Sequence, residues 1–409
     1  MNIKSSFLQE FIGRGFFCQC TNIEALDQQL LNSKNNPLPA YIGFDCTAKS
    51  LHVGSLMQIM MLRLWQKHGN QPIVLVGGGT TQIGDPSGKD ESRNMLSIEQ
   101  ININTSGIKN NLLKFLDFDG KNPAILVNNK DWLLNLNYVD FLRNIGKHFS
   151  VNKMLSFDSV KLRLDRDQPL SFLEFNYMLL QAYDFLELYQ KYNCILQIGG
   201  SDQWGNIVNG TELIRRVYAN QTHQQVFGLT SPLLTTADGK KMGKTANGAV
   251  WLDAYLLSVY DFFQYFRNTC DQDVARFLKL FTDLDLDYLD SIKQNDINHN
   301  KEILAFEVAK ICHGAEQAKQ ALERARSIFV SKQDFPQKHI KLGNEGLKLI
   351  DIMVEIEVAP SKNEAKRLIQ GGAVKLNKQT ITDIAYEIKQ TQQFELAVGK
   401  KKFFNIIIT

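Results

Sequence analysis

The chain has 409 residues, of which 44% are hydrophobic and 22% charged, and its formal net charge is +3. That length allows two or three domains with sizeable cores, and the composition is globular rather than disordered or fibrous. The longest apolar runs fall well short of a bilayer span, so no transmembrane helix is expected. The N-terminal "MNIKSSFLQEFIGRGF" has neither the apolar core nor the small-residue cleavage site of a secretory signal. Its spacing of Phe7, Phe11 and Ile12 predicts a packed leader helix instead. The six cysteines, Cys18, Cys20, Cys46, Cys194, Cys270 and Cys312, form no CxxC pair. Neither a structural zinc site nor a disulfide framework is therefore expected, and a reducing, cytoplasmic setting follows.

After the leader come four short apolar runs separated by helical patterns: "YIGFD" (41–45), "IVLVGGG" (73–79), "AILVNN" (124–129) and "CILQIGG" (194–200). Each ends in Gly, Asn or Asp, and the intervals suit crossover helices. This predicts an α/β fold with a parallel sheet, whose ligands collect beyond the carboxyl ends of the strands. From about Ser258 to Ser331 periodic Phe, Leu and Ile predict helices only. A linker with Pro, Gly and mixed charge follows at 331–345, and residues 346–409 read as a small α/β unit. From Lys341 onward there are 11 Lys and Arg against 8 Asp and Glu, while the remainder of the chain balances. The excess cation thus sits in the tail and points to an anion-binding appendage.

Two glycine-rich stretches raise the question of a nucleotide loop. "GGGTTQIGDPSGKDESR" (77–93) has Gln82 where the third glycine of a GxGxxG turn belongs. "DGKKMGKT" (238–245) has three residues between its glycines where a Walker A loop has four, and "ANGAVWLD" after it is not a helix start. A P-loop is therefore not expected. Lys240, Lys241 and Lys244 remain suited to neutralising charge on a leaving pyrophosphate, although a solvated lysine-rich turn has the same composition.

Taken together, "HVGS" (52–55) after a strand, "LQIGGSDQWGN" (196–206) and "KMGKT" (241–245) resemble the class I aminoacyl-tRNA synthetases, whose two signatures are HIGH and KMSKS. With "YIGFDCTAKSLHVGS", "VGGGTTQIGDPSGK", "GKHFSVNKML" and "FNYMLLQAYDF" in the same order, the chain is most similar to the bacterial tyrosyl-tRNA synthetases over nearly its whole length. The resemblance implies a Rossmann-like parallel-sheet catalytic domain at 1–232, then the KMSKS-type loop and an all-helical anticodon-side domain at 233–330. It also implies a C-terminal S4-like RNA-binding domain at 346–409. The implied substrates are L-tyrosine, ATP with Mg2+ and tRNA(Tyr), with no tightly bound protein metal, and the implied assembly is a homodimer without membrane contact.

By the same resemblance, Tyr41 and Asp184 hydrogen-bond the substrate phenol, Asp85, Tyr177 and Gln181 receive its ammonium group, and Gln203 lies near its carboxylate. Tyr177, Gln181 and Asp184 are spaced i, i+4 and i+7, so one helix face presents all three to a single pocket, although such spacing by itself also marks a solvated face. His52, with Asp45, Thr47, Gly54 and Ser55, would meet the nucleotide, and Gly200 and Asp202 its ribose. Lys89, Arg93, Lys241, Lys244 and Thr245 would stabilise the departing pyrophosphate. Ser55 stands where the signature has a second histidine. Serine is a favoured helix N-cap, and it carries no charge, which would shift more of the charge stabilisation to Arg93, Lys241 and Lys244. In the tail, a basic helix (Lys362, Lys366, Arg367) enters a Gly-Gly turn before Lys375 and Lys378, a pattern able to follow an RNA backbone. Two rival readings are a tryptophanyl-tRNA synthetase, disfavoured by Tyr41 and Asp184, and a non-catalytic RNA-binding relative, disfavoured by the intact ATP motifs.

Overall fold

The computed structural model describes residues 2–33, 36–85, 96–221, 225–239, 242–245, 248–292, 296–330, 337–341, 346–377, 379–391, 393–399 and 402–408. These divide into two compact units, residues 1–319 and residues 320–409. The leader helix α1 (Ser6–Gly13) buries Phe7, Leu8 and Phe11. Ile12, expected on the packed face, lies at its rim and is exposed, with Leu8 filling the place assigned to it.

The apolar runs become strands, and they order as a Rossmann-like sheet. In chain order the elements are β1 (Gln19–Cys20), α2 (Ile23–Asn32), β2 (Pro39–Asp45), α3 (Val53–Lys67), β3 (Gln71–Gly77), α4 (Ile98–Leu112) and β4 (Ile125–Asn128). Four short helices follow, α5 (Lys130–Leu133), α6 (Tyr138–Asn144), α7 (Val151–Leu155) and α8 (Asp158–Asp165). The long α9 (Phe172–Tyr192), β5 (Leu196–Gly200), α10 (Trp204–Val217) and β6 (Phe227–Ser231) complete the layer. The strand order is β1-β6-β5-β2-β3-β4, parallel except for the edge strand β1, which runs antiparallel to β6.

The order reverses between β2 and β5, and there the sheet is open. Those strands share two rungs, Ala40 opposite Leu196 and Tyr41 opposite Gln197. By contrast, β2 stays paired with β3 as far as Asp45, and β5 with β6 as far as Gly200. Beyond Tyr41 the two strands part, which makes a crevice at the topological switch point.

The register of α9 is pinned at its start. The Ser171 side chain accepts from the Glu174 amide while Glu174 reaches back to the Ser171 amide, a reciprocal cap. Arg163 pairs with the same buried Glu174 at 3.1 Å. After the sheet, a two-stranded hairpin, β7 (Lys244–Thr245) and β8 (Gly248–Ala249), stands where a P-loop would have required a helix. The expected helical stretch follows as α11 (Val259–Arg267), α12 (Asp271–Phe281), α13 (Leu286–Ser291), α14 (Ile297–His313) and α15 (Ala315–Val330). Phe262, Phe263, Phe266, Phe277 and Phe281 are fully buried in it.

The second unit holds β9 (Gln337–Ile340), β10 (Leu347–Lys348), α16 (Leu349–Glu355), α17 (Lys362–Gln370), β11 (Val374–Leu376), β12 (Gln379–Ile381), β13 (Glu387–Ile388), β14 (Gln393–Val398) and β15 (Lys402–Ile408). Its main sheet orders β12-β11-β14-β15-β9, and it has its own apolar core around Leu349, Ile352, Met353, Ile369, Leu396 and Ile406. Lys362, Lys366 and Arg367 of α17 are exposed, as is Lys375 on β11 past the Gly371–Gly372 turn. Lys378 lies outside the described residues.

Candidate active site

A cleft of about 270 Å³ occupies the crevice between β2 and β5. Tyr41, Asp45, Thr47, Ser55, Asp85, Tyr177, Gln181, Asp184, Gly200, Asp202 and Gln203 all line it. Three of these come from one face of α9, as the i, i+4, i+7 spacing requires. Lys89, Arg93 and Lys241 lie outside the described residues, and Lys244 and Thr245 are described only as backbone in β7.

At the inner end of the cleft, Tyr41 is 1% exposed and its hydroxyl has no hydrogen-bond partner among the described residues. Burial, and next the carboxylate of Asp184, push its ionisation well above the ordinary phenol value, so the group is a neutral donor. Asp184 is 2% exposed and accepts from the indole N–H of Trp132 (2.7 Å) and from the Asn129 amide (3.0 Å). Burial raises its pKa to about 7, against the lowering effect of those two donors, while the charges of Asp45 and Glu187 add to the rise. A buried donor and a buried acceptor thus stand together on an aromatic wall, where the Tyr41 and Phe185 rings are 5.4 Å apart.

A continuous hydrogen-bond chain links this end to the cleft mouth. Asn129 donates to Thr80 Oγ1 (3.0 Å), Thr80 to Asp45 Oδ1 (2.9 Å), and the Tyr177 hydroxyl to Asp45 Oδ2 (3.1 Å). Gly77 makes room for it, since a Cβ there would stand 2.4 Å from Asp45 Oδ1 and 2.6 Å from Thr80 Oγ1. On the other side Gln203 donates to Asp85 (2.7 Å), and Asn206 donates to both Gln181 and Gln203 (3.1 Å each). Asn129, Trp132, Thr80 and Asn206 were not singled out by sequence. Their signal is position: Asn129 directly follows the carboxyl end of β4, and Thr80 stands in the turn just past that of β3.

His52 and Gly54 lie beside the cleft rather than among its lining residues. The helix cap expected of Ser55 belongs to His52, whose Nδ1 accepts from the Gly54 N–H at 2.9 Å. Helix α3 begins at Val53, whose N–H is taken by the Val250 carbonyl (2.9 Å), and the Ser55 N–H already bonds the His52 carbonyl (2.8 Å), which places Ser55 in the first turn. In the neutral ring, Nδ1 as acceptor fixes the tautomer with hydrogen on Nε2, a donor suited to an anionic oxygen. His52→Ala is therefore expected to cost about 1 kcal/mol in denaturant unfolding, a typical cap loss. Ser55→Ala is expected to stay within about 0.5 kcal/mol of wild type. The reverse order would return the cap to Ser55.

Residues 33–330 match the family described as tRNA synthetases class I (W and Y), and residues 328–406 match the tyrosine–tRNA ligase SYY-like C-terminal domain. A tyrosine–tRNA ligase of the Wolbachia of Brugia malayi is 56% identical over 100% of both chains. One from Pelagibacter ubique is 52% identical over 98% of this chain and 99% of its own. Among solved structures, a C-terminally truncated mitochondrial tyrosyl-tRNA synthetase from Aspergillus nidulans superposes with a TM-score of 0.71 at 28% identity, covering 80% of this chain and 95% of that one. The crevice at the switch point, the α9 face and these full-length likenesses agree: the chain belongs to the class I tRNA synthetases and, within them, to the tyrosine–tRNA ligase family.

Proposed function

We propose that the cleft binds L-tyrosine and ATP and joins them as tyrosyl-adenylate with release of pyrophosphate. The tyrosyl group then passes to the 3′-terminal adenosine of tRNA(Tyr). The chain is a tyrosine–tRNA ligase. The observation that carries the amino-acid choice is the unpartnered Tyr41 hydroxyl beside Asp184. A buried donor without a partner is costly, and a phenol is the side chain that accepts from one group while donating to the other. An indole N–H has no acceptor to offer Tyr41, which disfavours tryptophan.

In this reading Asp85, Tyr177 and Gln181 receive the ammonium group, and Gln203 holds Asp85 in place beside the carboxylate. Asp45, Thr47, Ser55, Gly200 and Asp202 offer the nucleotide side, and His52 presents Nε2–H to the triphosphate. Lys89, Arg93, Lys241, Lys244 and Thr245 supply charge and hydrogen bonds to the leaving pyrophosphate. The tyrosine carboxylate attacks the α-phosphorus directly, so catalysis consists of alignment and charge stabilisation. Magnesium enters as the ATP complex, held largely by the phosphates.

The core comprises a catalytic domain (1–232) and a helical anticodon-side domain (233–330). The tail from 346, with exposed Lys362, Lys366, Arg367 and Lys375, binds tRNA. The enzyme works as a homodimer, and the support for it is the run of exposed apolar side chains along residues 134–172, among them Tyr138 (61% exposed), Val139 (69%) and Phe172 (71%). It acts in the cytoplasm; among the described residues no helix is long and apolar enough to cross a membrane.

The test is ATP–pyrophosphate exchange by the purified chain, expected to require tyrosine. Exchange driven by tryptophan alone would overturn the amino-acid assignment. Its absence with both would favour a non-catalytic RNA-binding relative.

A further inference from the structure

The described residues on either side of Lys240 and Lys241 are held by the helical region and by the start of α3. On the upstream side the Ala237 N–H donates to Asp273 Oδ2 at 2.8 Å. Arg276 donates to the Thr235 carbonyl and pairs with Asp273 Oδ1. Asp273, in the first turn of α12, is 2% exposed. A carboxylate buried to that extent needs partners for both oxygens, and one of them lies outside its own helix.

On the downstream side the Met242 N–H donates to the Leu234 carbonyl (3.1 Å), and the Val250 N–H to the Gly243 carbonyl (2.9 Å). The Gly243 amide hydrogen-bonds the hydroxyl of Tyr265 on α11. Gly243 has φ +102, a conformation that favours glycine, and a Cβ on it would stand 2.8 Å from the Gly54 nitrogen and 3.1 Å from His52 Nδ1. Gly243 is therefore pressed directly onto the "HVGS" turn. The Val53–Val250 and Leu51–Leu252 backbone bonds, 2.9 Å each, tie that turn to the strand leaving the segment.

We infer that Asp273, Arg276 and Tyr265 are positioning residues for adenylate formation. They touch neither substrate, and they act through Gly243 and His52 by fixing Thr235, Ala237 and Gly243, the described flanks of the lysine pair, relative to the start of α3. The inference rests on the reading of the cleft as the site of tyrosine activation. It assigns the helical region a part in the chemical step that is separate from any contact with tRNA.

The experiment measures single-turnover adenylate formation and equilibrium tyrosine binding without tRNA, for wild type, Tyr265→Phe, Asp273→Ala and Asp273→Asn. Tyr265→Phe keeps the ring and removes one hydrogen bond, and is expected to slow adenylate formation about tenfold with tyrosine affinity within about twofold. Asp273→Ala is expected to slow it about thirtyfold, and Asp273→Asn, which retains an acceptor for Ala237, to recover most of that loss. Rates within twofold of wild type for both Tyr265→Phe and Asp273→Ala would overturn the inference. So would a parallel loss of tyrosine affinity, which would mark general damage to the fold. Should Asp273→Ala fail to fold, Tyr265→Phe decides. Absence of adenylate with wild type would instead refute the functional reading, and this inference with it.

Discussion

Asp184→Ala is expected to lower kcat/KM for tyrosine by about a thousandfold, equivalent to about 4 kcal/mol, with the KM for ATP within about threefold of wild type. Two losses combine in that figure. The substrate phenol loses a charge-assisted acceptor, and the Trp132 indole N–H and one of the two Asn129 amide N–H groups, both now aimed at Asp184, are left buried without one. ATP is spared because Asp184 lies at the inner end of the cleft, while Asp45, Gly200 and Asp202 lie at the strand ends. A comparable rise in both KM values would mean that the residue supports the whole crevice rather than the amino-acid end. The same carboxyl predicts a pH dependence of known sign. Its pKa of about 7 means that the ionised acceptor dominates above neutrality and the neutral acid below it. Tyrosine affinity should therefore weaken as pH falls, by about tenfold between pH 8 and pH 6, with no matching change for ATP. Affinity that improved toward acid would show that the neutral acid is the form that binds.

Removing residues 332–409 is expected to leave tyrosine-dependent ATP–pyrophosphate exchange within about twofold and to reduce tRNA charging at least about a hundredfold. The first expectation follows because every described residue of the cleft, and of the α11–α12 clamp, belongs to residues 1–319. The tail has its own apolar core. The second follows from the cations on α17 and β11, since backbone contacts of that kind supply most of the affinity of a protein for RNA phosphates. Charging by the shortened chain at the wild-type rate in about 0.15 M salt would remove the tail from the tRNA surface. Charging that recovers only when salt is lowered would support an electrostatic role for it.

The strands that build the crevice were legible because each is a short apolar run closed by Gly, Asn or Asp, and all four expected runs lie within or around β2, β3, β4 and β5. The α9 face was legible for a similar reason: helical spacing puts Tyr177, Gln181 and Asp184 together whatever the rest of the chain does. Strand β1 escaped because two residues carry no period, and β6 because its apolar stretch is broken by Gly228 and polar residues yet wholly buried. The error at Ser55 has a local cause. Propensity favours serine at a cap, but the Ser55 N–H bonds the His52 carbonyl and the His52 ring accepts from Gly54, which puts the histidine at the boundary and Ser55 inside the turn. Asn129 and Trp132 stand 55 and 52 residues from Asp184, and no spacing rule connects them. Only the wound sheet, which brings the end of β4 over α9, joins the three.

The open seam between β2 and β5 has a consequence for rigidity. Past Tyr41 each strand is hydrogen-bonded on one side only, so two adjacent strand edges face each other across the cleft with the ladder unfinished. A ligand seated there occupies the place of the missing rungs. Substrate is then a structural part of the sheet as well as its cargo. Amide-exchange protection gained on binding should concentrate in residues 42–45 and 198–200, the lips of the seam, rather than spread over the strands that were already paired on both sides.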